Sequence, residues 1–165
     1  MSASEAFVIT RHFEAPRERV WKAWTDAREL KHWWGPRDFK LHTCSVDLRP
    51  GGVFLYGMTA PDGKEVWGRF VYREITPPAR LVSVVSFSDP QGSVTRHPWT
   101  PGWPLQWMST VEFEAQGART KVTVTWLPHE ASDAEREVFR DGRESMKQGW
   151  TGTFLNLEEH LRETK

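Results

Sequence analysis

The sequence predicts an α+β domain: a curved antiparallel β-sheet wrapped around one long C-terminal helix, with two short helices after the first strand. Three observations carry this expectation. Between Phe39 and Trp126 the apolar residues recur mostly with period two, the signature of strands. From Ser132 to about Thr164 they recur with helical spacing behind an S-x-x-E capping box, Ser132 with Glu135. Between Pro16 and Trp34 two short helical runs end at Gly35-Pro36.

The elements follow in order. "AFVITRHF", 6 to 13, reads as a first strand with Phe7, Ile9 and Arg11 on one face. Pro16 suits the first turn of a helix, where its missing N–H costs nothing. Val20 and Trp24 lie one turn apart and form its buried stripe. Asp26 and Glu29 have capping-box spacing and start the second short helix.

The strand region is predicted to hold about six strands. In "FKLHTCSVDL", Phe39 and Leu41 share one parity while Val46 and Leu48 share the other, which calls for a bulge or bend between them. "RPGG" at 49–52 and "PDG" at 61–63 are turns, and Asp47 and Arg49 stabilise the first. "VFLYGM" is apolar on both faces. "EVWGRFVYREI" and "RLVSVVSF" follow, split by "TPPA". The stretch 88–104, "SDPQGSVTRHPWTPGWP", holds four of the eleven prolines and reads as a loop. Beyond it Leu105, Trp107, Val111 and Phe113 share a face, as do Val122, Val124 and Trp126 in "TKVTVTW". Such alternation fits antiparallel strands with one covered face.

One helix of roughly 45 Å is then expected from Ser132 to about Thr164, at about 1.5 Å per residue. Its stripe is Phe139, Met146, Trp150, Leu157 and Leu161, with Phe154 close by. A single helix across one sheet buries both apolar faces, which is a helix-grip arrangement.

Composition bounds the function. A chain of 165 residues fits one domain, 1–165. Lys plus Arg and Asp plus Glu both number 22, so there is no basic footprint for nucleic acid. No apolar run spans a bilayer, the N-terminus lacks a signal-peptide pattern, and the lone Cys44 excludes an internal disulfide framework. A cytoplasmic protein is the expectation. Six scattered histidines without H-x-x-x-H spacing give no metal site, and no glycine-rich phosphate loop or G-x-S-x-G appears, so no cofactor is expected. Cys44 lies mid-strand and reads as a buried, unreactive thiol.

Several motifs carry a family resemblance. "DLRPGG" at 47–52, "PDG" at 61–63, the G-x-x-x-x-E-I-x-P-P-x-R-L-V pattern from Gly68 to Val82, "HWWGP" and the closing "GWTGTFLNLEEHL" at 149–161 arrive in one order. Together they resemble the activator-of-heat-shock-ATPase homologue family, a branch of the START/Bet-v-1-like (SRPBCC) superfamily, over nearly the whole chain. The resemblance implies a helix-grip fold with a cavity between sheet and long helix. That superfamily includes lipid carriers, hormone receptors, polyketide cyclases, antibiotic-sequestering proteins and co-chaperone domains, so fold alone leaves function open. The family's co-chaperones carry a separate N-terminal domain that docks on the chaperone. This sequence starts almost at its first strand, so chaperone activation is not the leading expectation. The loop "TRHPWTPGWPLQW" is longer and richer in tryptophan than the family resemblance leads one to expect.

Ten tryptophans in one chain call for an aromatic core or an aromatic-walled hole. Trp21, Trp24 and Trp126 are assigned to the core. Trp33, Met58, Trp67, Trp99, Trp103, Trp107, Phe139, Met146, Gly149 and Trp150 are the expected ligand-binding residues. Of the Trp33–Trp34 pair, Trp34 is expected under the short helix, fixing the Gly-Pro exit, and Trp33 in the pocket wall. Gly142, Gly149 and Gly152 each cost about 1 kcal/mol of helix stability against alanine, so each leaves room for a ligand or a neighbouring backbone. Met58, Met108 and Met146 offer adaptable surface. His42, Arg69 and His97 are the available polar handles, and a histidine near Trp103 is the first general base to test.

The leading functional reading is non-catalytic binding of a small hydrophobic or aromatic ligand by a monomer or weak homodimer. A cyclase- or hydratase-type enzyme using the same cavity is the second reading. A co-chaperone-like interaction module, with a chaperone as partner, is the third.

Overall fold

A computed structural model describes residues 5–164. Residues 1–4 and Lys165, included in the expected 1–165 domain, lie outside the described residues. The elements run β1 (Phe7–Phe13), α1 (Arg17–Thr25), α2 (Ala27–Trp33), β2 (Lys40–Val46), β3 (Val53–Thr59), β4 (Glu65–Thr76) and β5 (Arg80–Ser88). Then come β6 (Val94–Thr95), β7 (Trp107–Gln116), β8 (Arg119–Pro128), α3 (Asp133–Asp141) and α4 (Arg143–Glu163). The strands form one antiparallel sheet in the order β1-β8-β7-β5-β4-β3-β2, with β6 paired to β5. The sheet curls into a half-barrel and α4 lies in its concave face, the α+β helix-grip arrangement expected from the sequence.

Local chemistry explains the elements. Pro16 sits at the N-cap of α1 rather than inside its first turn, and its carbonyl accepts from the N–H groups of Arg19 and Val20. Asp26 caps α2 by accepting from the Arg28 N–H at 2.9 Å. Glu29 does not close the expected capping box. It reaches instead to Arg19 at 2.7 Å and His160 at 2.9 Å, because that contact ties α1, α2 and α4 together. The bulge foreseen in β2 is a register shift between Leu41 and Thr43 against β3. The 49–52 turn carries the Arg49–Asp47 ion pair at 2.8 Å.

Three expectations are corrected. The 88–104 stretch is not wholly loop, since Val94 and Thr95 pair with Ser88 and Phe87. Leu105 precedes β7 and is 37% exposed, so it does not continue the buried face of Trp107, Val111 and Phe113. The C-terminal helix is two helices. The capping box at Ser132 and Glu135 opens α3, but Gly142 is its C-cap and also the N-cap of α4. Gly142 leaves the helical backbone there, at φ −85° and ψ 6°, and the Trp103 indole occupies the space a side chain would need, 2.6 Å from an added Cβ.

The core is continuous. Phe13, Val20, Leu30, Val122, Val124, Phe154 and Leu157 are all at most 1% exposed. Burying an aliphatic or aromatic side chain of this size contributes about 1.5–3 kcal/mol. Phe13 and Phe154 meet edge-to-face at 5.7 Å, joining β1 to α4.

Candidate functional site

Close packing stops beneath the middle of α4. A cavity of about 710 Å³ opens there, between α4, the concave face of β3–β5, the ends of β7 and β8, and residues 97–103. That volume falls in the range of small-molecule pockets, about 300–1,000 Å³. Its wall is a chain of aromatic rings. Trp103 meets Trp107 at 6.2 Å, Trp107 meets Trp126 at 5.4 Å, and Trp126 meets Trp150 at 5.5 Å. Trp150 then meets Trp34 at 5.7 Å, and Trp34 meets Tyr56 at 5.7 Å.

Strand parity sets which side chains face inward. Tyr56 and Met58 on β3 pair with Gly68 and Val66 on β4, and all four lie on the concave side. The ring of Tyr56 lies across Gly68, where an added Cβ would collide with the phenol. Burial pushes the Tyr56 phenol up to about 12, partly offset by a hydrogen bond with the Trp34 side chain, so it stays protonated. Gly35, at φ +109°, takes a conformation that disfavours side chains, and an added Cβ there would sit 2.6 Å from the Met58 sulfur.

Of the residues expected to bind ligand, Met58, Trp99, Trp103, Trp107, Met146, Gly149 and Trp150 line this cavity. Three do not. Trp33 is 1% exposed in the core, where its Nε1–H donates to the Ala23 carbonyl at 3.0 Å. Trp34 takes the wall position instead, reversing the expected roles of the pair. The reason is that α2 ends at Trp33, and Trp34 is its C-cap with extended backbone, φ −66° and ψ 133°, which turns the ring toward the sheet. Trp67 pairs with Gly57 on the convex side and packs against His42 at 5.5 Å. Phe139 is fully buried behind Trp103, 5.2 Å away, and supports the wall without reaching the cavity.

Trp126, assigned to the core from sequence, also lines the cavity, as do Trp34, Tyr56 and Phe87. Tyr56 could have been found by extending the parity of Met58 back two residues. The apolar character of "VFLYGM" on both faces hid which parity was inward.

The three helix glycines have separate roles. Gly142 receives Trp103. Gly152 receives Arg37, whose Cγ would lie 3.0 Å from an added Cβ. Gly149 borders the cavity, and an added Cβ there meets nothing within 4 Å.

Among the polar handles only His97 lines the cavity. Its ring packs on Phe87 at 4.6 Å. Its Nδ1 accepts from the backbone N–H groups of Trp99 at 3.0 Å and Thr100 at 3.1 Å. Two donors on one nitrogen require a lone pair there, so the proton of the neutral ring is on Nε2. Burial lowers the His97 pKa and keeps the ring neutral. His42 is bonded to Glu65 on the convex side, and Arg69 donates to the Gly92 carbonyl. Residues 96–103 are held to α3 through Arg96, which pairs with Glu135 at 2.6 Å. Cys44 is half-buried on β2, and burial pushes its thiol up to about 11, far from a nucleophile's range. Among the described residues no helix is long and apolar enough to cross a membrane.

A half-barrel sheet closed over a long helix, with an aromatic cavity between them, defines the helix-grip class. Within it, residues 14–162 match the family described as "Activator of Hsp90 ATPase homolog 1-like protein", and the chain belongs to that family. Among solved structures, a protein from Arthrobacter aurescens is similar at 28% identity and TM-score 0.78, covering 96% of this chain and 86% of that one. A Nitrosomonas europaea protein matches at 24% identity and TM-score 0.77, over 99% and 97% of the two chains. A Silicibacter pomeroyi protein titled AHSA1 matches at 17% identity and TM-score 0.71, over 97% and 99%. A comparison with curated proteins gives no significant match.

Proposed function

We propose that the protein takes up one small, mostly apolar or aromatic molecule in the cavity between sheet and α4, and releases it unchanged. The observation that carries this reading is the cavity itself: about 710 Å³, walled by six of the ten tryptophans. An apolar molecule seated there would lie against the indole faces and gain dispersion contacts. Open space beside Gly149 supports the same reading, because a structural glycine would be pressed by a neighbour.

Binding is favoured over turnover by the state of His97. A general base must present a lone pair to its substrate. The one lone pair of neutral His97 is taken by the Trp99 and Thr100 N–H groups, which leaves a donor, not a base. Native mass spectrometry of freshly purified protein tests the reading. The expected spectrum contains, beside the bare chain, a species heavier by one small molecule that collisional activation removes. A spectrum of bare protein alone, unchanged after incubation with a panel of apolar aromatics, counts against it.

A further inference from the structure

Resting on that reading of the cavity, we propose that the ligand is an aromatic molecule bearing an oxygen acceptor and no anionic group, anchored by the Nε2–H of His97. The cavity lining includes no lysine or arginine, and its one charged residue, Asp141, is exposed on the helical side. A carboxylate or phosphate entering there would lose its hydration without a countercharge, which is costly.

Polar recognition must therefore come from neutral groups: the buried N–H groups of Trp103, Trp107 and Trp126 and the Ser86 hydroxyl, which have no partner among the described residues, and beside them the Nε2–H of His97, a donor whose direction is fixed. His97 Nδ1 is tied to the loop backbone by two hydrogen bonds, which fix the ring's orientation as well as its tautomer. Phe87 and Trp103 flank the ring at 4.6 and 5.9 Å and restrict its rotation. Its Nε2–H has no partner among the described residues. An N–H fixed in a largely apolar wall selects for a carbonyl or ether oxygen, and it disfavours a hydrocarbon of the same shape that leaves it unpaired. His97 is thus a specificity-determining residue, and the surrounding indoles supply shape, area and the further unpartnered N–H donors of Trp103, Trp107 and Trp126.

The test uses three probes of one skeleton, fluorene, 9-fluorenone and fluorene-9-carboxylate, in equilibrium dialysis against the full chain. Two variants separate the two nitrogens. In His97→Asn the amide oxygen can take the place of Nδ1 and hold the loop, but the distal donor is gone. In His97→Gln the amide N–H₂ can take the place of Nε2. The expected result is that the fluorenone-to-fluorene affinity ratio falls about tenfold in His97→Asn and is largely kept in His97→Gln. The carboxylate is expected to bind most weakly of the three. Using a ratio removes general damage to the cavity, which weakens both probes alike. A ratio unchanged in His97→Asn, or a carboxylate that binds more tightly than the ketone, overturns the inference while leaving the cavity reading intact. Wild-type protein that binds none of the probes saturably overturns both.

Discussion

The indole of Trp103 fills the space in front of Gly142, so that a Cβ there would lie 2.6 Å from its ring. This contact lies at the break between α3 and α4 and seats Trp103 in the cavity wall. Gly142→Ala should therefore act through the tryptophan. Its φ of −85° is open to alanine, so the backbone is not strained. Overpacking costs about 1–3 kcal/mol, and improved helix propensity returns at most about 1 kcal/mol. The expected outcome is a modest fall in melting temperature together with a change in Trp103 fluorescence. A variant that melts higher, with its emission unaltered, would show that the contact is slack.

Gly149→Leu should behave in the opposite way. An added side chain meets open cavity, gains helix propensity of up to about 1 kcal/mol, and buries apolar surface that contributes about 1–2 kcal/mol more. Stability should hold or rise while uptake of an aromatic probe falls. Paired thermal melts and probe titrations check this, and a stable variant with full probe affinity would contradict the placement of the site beside α4.

The contact of Glu29 with Arg19 and His160 predicts an acid-sensitive joint. Burial tends to raise the Glu29 pKa, but hydrogen bonds from His160 and Arg19 outweigh it and hold the carboxyl below its ordinary value near 4.5. Lys22 adds a weaker contact at 3.9 Å. A carboxyl lowered in the fold stabilises fully above its ordinary value, and that stability is lost as pH falls through the folded value. Glu29→Gln should cost about 1–3 kcal/mol at neutral pH and much less in acid. Denaturant unfolding of both proteins across that pH range measures it. A difference that does not shrink in acid would contradict the assignment.

These residues also show what can be read from sequence and what cannot. The strands of β7 and β8, the α3 capping box and the α4 stripe follow from local periodicity, and local periodicity survives folding because it reports which face is covered. The roles of Trp33 and Trp34 do not follow, since they turn on the dihedral angles of one C-cap residue. Trp67 lies outside the cavity although its strand carries the signal: Arg69 and Arg73 share its parity, whereas Val66, Phe70 and Tyr72 share the other, buried one. The need for glycine at 142 comes from Trp103, 39 positions earlier in the chain, and no spacing rule links them. The tautomer of His97 is set by two backbone N–H groups of its own loop, which only the folded geometry brings together.

On the proposed function, an apolar aromatic ligand sits against one particular subset of the indoles. This claim is tested most directly by titrating 9-fluorenone into ¹⁵N-labelled protein and following the ten indole N–H resonances. Saturable shifts are predicted for the cavity group, Trp34, Trp99, Trp103, Trp107, Trp126 and Trp150. Trp21 and Trp67, outside the cavity, should stay in place, and Trp24 and Trp33, buried behind it, should move least of the core indoles. Shifts confined to Trp21 and Trp67, or linear drift of all ten without saturation, would contradict the claim.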